Sequence, residues 1–329
     1  MRRRLFPRRP RRGLVLGGGG VLGGTWAIGA LCALQKTHGF SVHEVDVIVG
    51  TSAGSLIAAL LGCGVTAEQL LQHNKEERIS KGPLVGYHWD PRQAAGGSRP
   101  GLPRLPTPGS LKLLGSSIRR PGQLPTTAIL SALVPQGRRS LQQVGHLVEA
   151  VTPESGWAPR TGVWIVAMDY ETGKRVVFGR SGAPFARLPT AVMASCAIPG
   201  WFAPVEIGGR PYVDGGAISA TSVDVIAHAD LDEVYVIAPM ASFAQDQPRT
   251  LAAKLERRWR EQVTRACVAE AQVVRDLGAT VVIIGPGPED LEAIGANLMD
   301  ASRRALVLET SLRTSVAAWQ EAAAMNQAG

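Results

Sequence analysis

The stretch that most constrains this chain is Asp46-Val47-Ile48-Val49-Gly50-Thr51-Ser52-Ala53-Gly54-Ser55. Val47 to Val49 read as a buried strand, and Ala53 to Leu61 as an apolar helix. Between them stands Gly-x-Ser-x-Gly, the setting of a nucleophile elbow, in which a tight strand-to-helix turn lifts a serine hydroxyl above a sheet. Gly50 and Gly54 are then required because the two backbones pass too close for a Cβ. The helix start beneath Ser52, at Ala53, offers unpaired N–H groups to a developing oxyanion. A small-residue turn with an inert, buried serine would read the same way from this stretch alone.

The glycine content makes the surrounding pattern matter. After Gly13-Leu14-Val15-Leu16, a short apolar strand, come Gly17-Gly18-Gly19-Gly20-Val21-Leu22-Gly23-Gly24 and an expected helix over Thr25 to Lys36. Gly18, Gly20 and Gly23 satisfy the dinucleotide fingerprint G-x-G-x-x-G. That fingerprint needs an acid at the end of the second strand, where this chain has Gly50-Thr51-Ser52. The loop suits another use better: bare N–H groups at a helix N-terminus, aimed at an oxyanion. A turn with only a packing role remains the alternative.

Charge is unevenly placed. The net charge is +8, and residues 1–12 hold seven arginines and no acid. Without those seven, the 35 basic residues fall to 28 against 27 acidic. The segment lacks the apolar core of a signal peptide and reads either as a basic tail able to hold the protein on anionic lipid or as a plain disordered, solvated tail, ahead of a single domain over residues 13–329. No run of about 18 apolar residues occurs, so no transmembrane helix is expected. Cys32, Cys63, Cys196 and Cys267 lie far apart without metal-ligand spacing, which points to reduced core thiols and no metal. Neither a cofactor nor nucleic acid is expected, and the location expected is cytoplasmic, with peripheral contact at a membrane.

Further along, Glu68 to Ile79 reads as an amphipathic helix. Residues 80–135 then hold nine prolines and seven basic residues against one acid, Asp90. Leucine clusters argue against a plain linker, so the segment reads as an irregular insertion with short helices near 109–118 and 126–134, either a lid-like cover over the site or a poorly ordered excursion. Two hairpins follow, over 163–178 and 202–213, with a helix over Leu188 to Cys196 between them. The second hairpin delivers Asp214-Gly215-Gly216. Ser222 to His228 reads as a helix, Glu233 to Ala238 as a strand, Arg249 to Leu277 as a long helix, Ala279 to Ile284 as a strand and Leu298 to Trp319 as a closing helix. This alternation argues for an α/β fold, a mainly parallel sheet covered by helices on both faces.

Four motifs stand in one order: Gly18-Gly19-Gly20-x-x-Gly23, Gly50-Thr51-Ser52-Ala53-Gly54, Ala194-Ser195-Cys196-Ala197-Ile198-Pro199-Gly200 and Asp214-Gly215-Gly216. Together they resemble the patatin-like phospholipase family. The resemblance implies a Ser–Asp dyad with Ser52 as nucleophile and Asp214 as base, an oxyanion hole from Gly18, Gly19 and Gly20, and a lipid or fatty-acyl ester as substrate. One position departs: the family usually has a basic residue two places after the third glycine, and this chain has Leu22. Two other readings stay open on sequence. One is a Ser–His–Asp esterase using His228; the other is a non-catalytic lipid-binding or scaffold protein on the same fold.

Overall fold

The computed structural model describes residues 9–87, 108–119, 122, 124–159, 162–243 and 251–328. The first eight residues and the middle of the insertion, 88–107, lie outside the described residues. At the centre is an eight-stranded mixed sheet. Its parallel part is built from β1 (Arg12–Leu16), β2 (Val47–Thr51), β3 (Gly162–Asp169), β7 (Glu233–Ile237) and β8 (Thr280–Ile284), in the order β3-β2-β1-β7-β8. An antiparallel extension on β3 consists of β4 (Arg175–Phe178), β5 (Val205–Ile207) and β6 (Arg210–Asp214).

Strand residues alternate between two buried faces, as a sheet covered on both sides requires. Leu14, Leu16, Ile48, Val163 and Ile165 belong to the larger core. Over that face lie α1 (Gly20–His38), α2 (Ala53–Gly62), α3 (Ala67–Asn74), α6 (Gln142–Glu149), α7 (Leu188–Cys196) and α10 (Arg304–Ala328). Val15, Val49, Val166 and Val236 face the other way, against Cys267, Ala271 and Val274 of α8 (Leu251–Asp276). Residues 108–135 contribute α4 (Leu111–Arg119) and α5 (Thr126–Leu133), whose Leu113, Ala128 and Ala132 pack on Met168, Tyr170 and Val213. A short α9 (Pro288–Ile294) precedes α10.

Several boundaries differ from the sequence expectation, for physical reasons. α1 starts at Gly20 rather than Thr25, because the glycines are needed at contact points along it. A Cβ on Gly24 would stand 3.2 Å from that of Ala53, and one on Gly29 would stand 2.5 Å from Ser311 Oγ. α3 ends at Asn74, well before Ile79, and begins at a reciprocal Thr66–Gln69 capping box. Ser222 to His228 is a 3-10 turn over Val223–Ile226 only. There Glu270 of α8 accepts the Val223 N–H at 2.9 Å and the Thr221 hydroxyl at 2.7 Å, partners that hold the segment out of a regular helix. The basic tail is also shorter than residues 1–12. Arg12 is the first residue of β1 and pairs with Glu233 at 2.9 Å, while the Arg11 N–H donates to Asp232 at 2.6 Å.

Candidate active site

β3 is the strand that assembles the site. Thr51, the last residue of β2, stands opposite Val166, and Asp214, the last residue of β6, stands opposite Ala167. β4 occupies the other edge of β3 over Ile165 to Met168, so β2 and β6 share one edge and meet there end to end from opposite directions. Residues remote in sequence are thereby brought together by backbone register, before any side chain is considered.

At the end of β2 the chain turns sharply. Ser52 has φ 53° and ψ −127°, a positive φ that costs a residue with a Cβ of the order of 1–3 kcal/mol and persists only where neighbours enforce it. The neighbours are present. The Ser52 N–H donates to Ser195 Oγ at 2.9 Å, and the Ser195 hydroxyl donates to the Val166 carbonyl at 2.6 Å. The Ser52 carbonyl accepts the Ser55 hydroxyl at 2.6 Å and the Cys196 thiol at 3.2 Å. A Cβ on Gly54 would fall 2.1 Å from the Leu16 carbonyl oxygen, and one on Gly50 would fall 2.5 Å from Ser55 Cα. Both elbow glycines are therefore required by close backbone approach, as the sequence predicts.

Asp214 is buried, and burial pushes its carboxyl up to about 6. Two contacts oppose that rise by favouring the charged form: the Ser52 hydroxyl, and the Gly216 N–H, which donates to Oδ1 at 2.7 Å. Cys196, beside the same carboxylate, is a thiol pushed up to about 12 by burial, and it is neutral at physiological pH. His228 is exposed and shows no tie to Ser52 or Asp214. Another histidine, His73 of α3, lines the cavity that opens at Ser52.

The glycine loop passes directly over Ser52, where a Cβ on Gly18 would come 3.1 Å from Ser52 Cβ. Its N–H groups divide into two sets. Gly17 donates to Ile237 O at 2.9 Å and Gly18 to Ala220 O at 2.8 Å, so these two anchor the loop. No intramolecular acceptor for the Gly19 or Gly20 N–H occurs among the described residues. Of the three expected oxyanion donors, Gly18 thus holds the loop in place, and Gly19 and Gly20 remain available along with Ala53 at the start of α2.

A cavity of about 130 Å³ opens at Ser52 and runs between the helices of the larger core. Ile28, Leu56, Ile57, Leu60, Val144 and Leu147 give it an aliphatic wall, while Thr25, His73, Asn74 and Arg304 form a polar part. None of the described residues from 108 to 135 lines it. α4 and α5 instead flank the Asp214 turn, where the Thr127 hydroxyl donates to Ala217 O at 2.7 Å. Sequence reading gave no role to Ser195, His73 or Arg304. Only Ser195 carried a signal, through its place in the Ala194–Gly200 motif.

Among solved structures, VipD from Legionella pneumophila is similar at 14% identity and TM-score 0.46, covering 95% of this chain and 67% of its own. The type III effector protein ExoU is similar at 15% identity and TM-score 0.38, covering 96% of this chain and 54% of that one. A human GIVD cytosolic phospholipase A2 in complex with methyl gamma-linolenyl fluorophosphonate matches at 14% identity and TM-score 0.41, covering 97% and 59%. The chain spans about half to two thirds of the length of these proteins. No helix among the described residues is long and apolar enough to cross a membrane. The patatin-like phospholipase model matches residues 14–226, from β1 through the glycine loop, the Ser52 elbow and the Asp214 turn. The chain belongs to the patatin-like phospholipase family, and membership supports lipid acyl hydrolysis as its class of activity.

Proposed function

We propose that the protein is a lipid acyl hydrolase working through a Ser52–Asp214 dyad. The observation that carries this reading is the end-to-end meeting of β2 and β6 on one edge of β3, which sets a strained serine against a buried carboxylate. Ser52 Oγ attacks the ester carbonyl carbon while its proton passes to Asp214. The new oxyanion faces the Gly19, Gly20 and Ala53 N–H groups. Collapse breaks the ester bond, and the leaving alcohol takes the proton from Asp214, leaving an acyl group on Ser52. Water then gives a proton to Asp214 and attacks the acyl carbon. The second collapse frees the fatty acid and returns the proton to Ser52.

A carboxylate near its ordinary pKa of about 4 is a weak base toward a hydroxyl, and the raised value of Asp214 narrows that gap. The aliphatic cavity at Ser52 takes the acyl chain. Labelling with an alkyl fluorophosphonate tests the reading. Wild-type protein should be labelled on Ser52 and Ser52→Ala should not; failure of the folded wild-type protein to label or to hydrolyse an ester would favour a binding protein without catalysis.

Contact with an anionic membrane belongs to the same reading. Leu111 and Ile118 of α4 and Leu130 and Leu133 of α5 are exposed, beside Lys112 and Arg119. Leu111→Ser with Ile118→Ser should weaken sedimentation with anionic vesicles while leaving turnover of a water-soluble ester unchanged. Unchanged vesicle binding would remove α4 from the interface.

A further inference from the structure

We propose that Glu270 of α8 is a positioning residue for the oxyanion loop, acting through residues 219–223 and the Ala220 carbonyl. The inference rests on the hydrolase reading for the task of the Gly19 and Gly20 N–H groups. It adds a residue that lies outside the lining of the acyl cavity.

The glycine loop has two backbone anchors of different kinds. Gly17 donates to Ile237 O at 2.9 Å, a bond that continues the pairing of β1 with β7. Gly18 donates to Ala220 O at 2.8 Å, and Ala220 belongs to no strand or helix. Backbone of that kind has no ladder of its own and keeps its place through side-chain and tertiary bonds. The second anchor is the one closer to the chemistry. Gly19 and Gly20 follow it directly, and a Cβ on Gly18 would come 3.1 Å from Ser52 Cβ.

Glu270 supplies the bonds that this segment needs. Its Oε2 accepts the Thr221 hydroxyl at 2.7 Å and the Val223 N–H at 2.9 Å, and the Ser219 hydroxyl also bonds the carboxylate. One side chain thus holds the residues on either side of Ala220, with bonds of the stronger, charge-assisted kind. The Ser219 oxygen in turn accepts the Thr221 N–H at 3.2 Å and the Ser222 N–H at 2.9 Å. Ser222 has φ 53° and ψ 42°, a left-handed conformation that a residue with a Cβ keeps where its surroundings enforce it. Ser219, Thr221 and Ser222 are buried, so losing the carboxylate leaves polar groups without a partner and lets the strained segment shift.

α8 packs on the face of the sheet opposite the larger core, and no described residue of α8 or of 219–223 lines the acyl cavity. Removing the clamp should therefore displace the oxyanion donors while leaving acyl binding in place. The expected signature is a fall in kcat without a change in KM.

A pair of substrates reads the loop itself: 4-nitrophenyl butyrate and its thiono analogue, in which sulfur replaces the carbonyl oxygen. Well-placed N–H donors favour the oxygen ester, because sulfur is larger and a poorer acceptor. In full-length protein, Glu270→Ala should lower kcat on the oxygen ester by about 10–100-fold with KM within about twofold, and should lower the oxygen-to-sulfur rate ratio by about tenfold. Glu270→Gln, which keeps an accepting oxygen, should recover most of both, and Thr221→Val should show a smaller loss in the same sense. Hydrogen exchange at single-residue resolution gives a second reading: the Gly18 amide should exchange at least tenfold faster in Glu270→Ala, with Gly17 unchanged. The proposal is overturned by equal loss on both esters with the ratio intact, or by Gly18 exchange at the wild-type rate. If Glu270→Ala does not fold, the Gln and Val variants decide by the same two readings. Wild-type protein that turns over neither ester retires the hydrolase reading, and the exchange at Gly18 then judges the clamp by itself.

Discussion

The Ser195 hydroxyl accepts a hydrogen bond from the Ser52 N–H at 2.9 Å and donates one to Val166 O at 2.6 Å. One buried side chain thereby ties the elbow to the strand on which Asp214 is registered. Ser195→Ala would leave an N–H and a carbonyl unpaired in a buried place, a cost of about 1–3 kcal/mol. It should lower the denaturation midpoint and reduce kcat by about 10–100-fold with KM nearly unchanged, because the serine shifts while the acyl cavity does not. A variant with wild-type kcat and a lower midpoint would make Ser195 a purely structural residue.

Gly54 gives the sharpest steric expectation. A methyl group there would stand 2.1 Å from the Leu16 carbonyl oxygen, and backbone at that distance has to move. Gly54→Ala should destabilise by about 3 kcal/mol or more and abolish activity. Urea denaturation measures the first and an ester assay the second; a stable Gly54→Ala protein would contradict the packing of β1 under the elbow.

Asp214 should cost stability at the pH where it works. With its pKa raised to about 6 by burial, the folded state binds this proton more tightly than the unfolded chain does. Stability from this group is thus greatest below the unfolded pKa and falls as pH rises through about 6. Asp214→Asn should accordingly be more stable than wild type at pH 7.5 by about 2–3 kcal/mol, the advantage fading toward pH 4. Urea midpoints at the two pH values measure it, and a variant no more stable at pH 7.5 would show that Asp214 is not held against its charge.

Chain-length preference should follow α2. Leu60 lies about 12 Å along the helix from Ser52 at 1.5 Å per residue, and it lines the cavity. Leu60→Trp should slow hydrolysis of long-chain esters by about tenfold or more and leave butyryl esters within about twofold. Parallel loss on both would place the acyl chain elsewhere.

The elbow, the glycine loop, the Asp214 turn and most strands could be read from the sequence because each is a local pattern with a backbone reason. α7 matched its expected bounds, Leu188 to Cys196, since Pro189 opens it and Pro199-Gly200 follows its end. What escaped reading depends on contacts remote in sequence. α6 carries Gly145, a poor helix former, where a Cβ would stand 2.7 Å from Met193 Sδ; the glycine serves helix contact, a reason invisible locally. Likewise, nothing near position 304 signals a place in the wall of the Ser52 cavity, which arises only as the chain near Leu298 and Met299 packs against Gly20 and Leu22. The same holds for His73, whereas His228, in plausible order after Asp214, ends exposed.

The pH dependence of kcat/KM on a neutral short-chain ester, compared between wild type and Asp214→Asn, tests the dyad most directly. With Asp214 as base, wild-type activity should rise through an inflection near pH 6, where the carboxylate loses its proton. Asp214→Asn should lose that inflection together with about 10³-fold or more of the rate. An Asp214→Asn enzyme within tenfold of wild type, with an inflection that disappears in His73→Ala, would give the base role to the histidine and contradict the account.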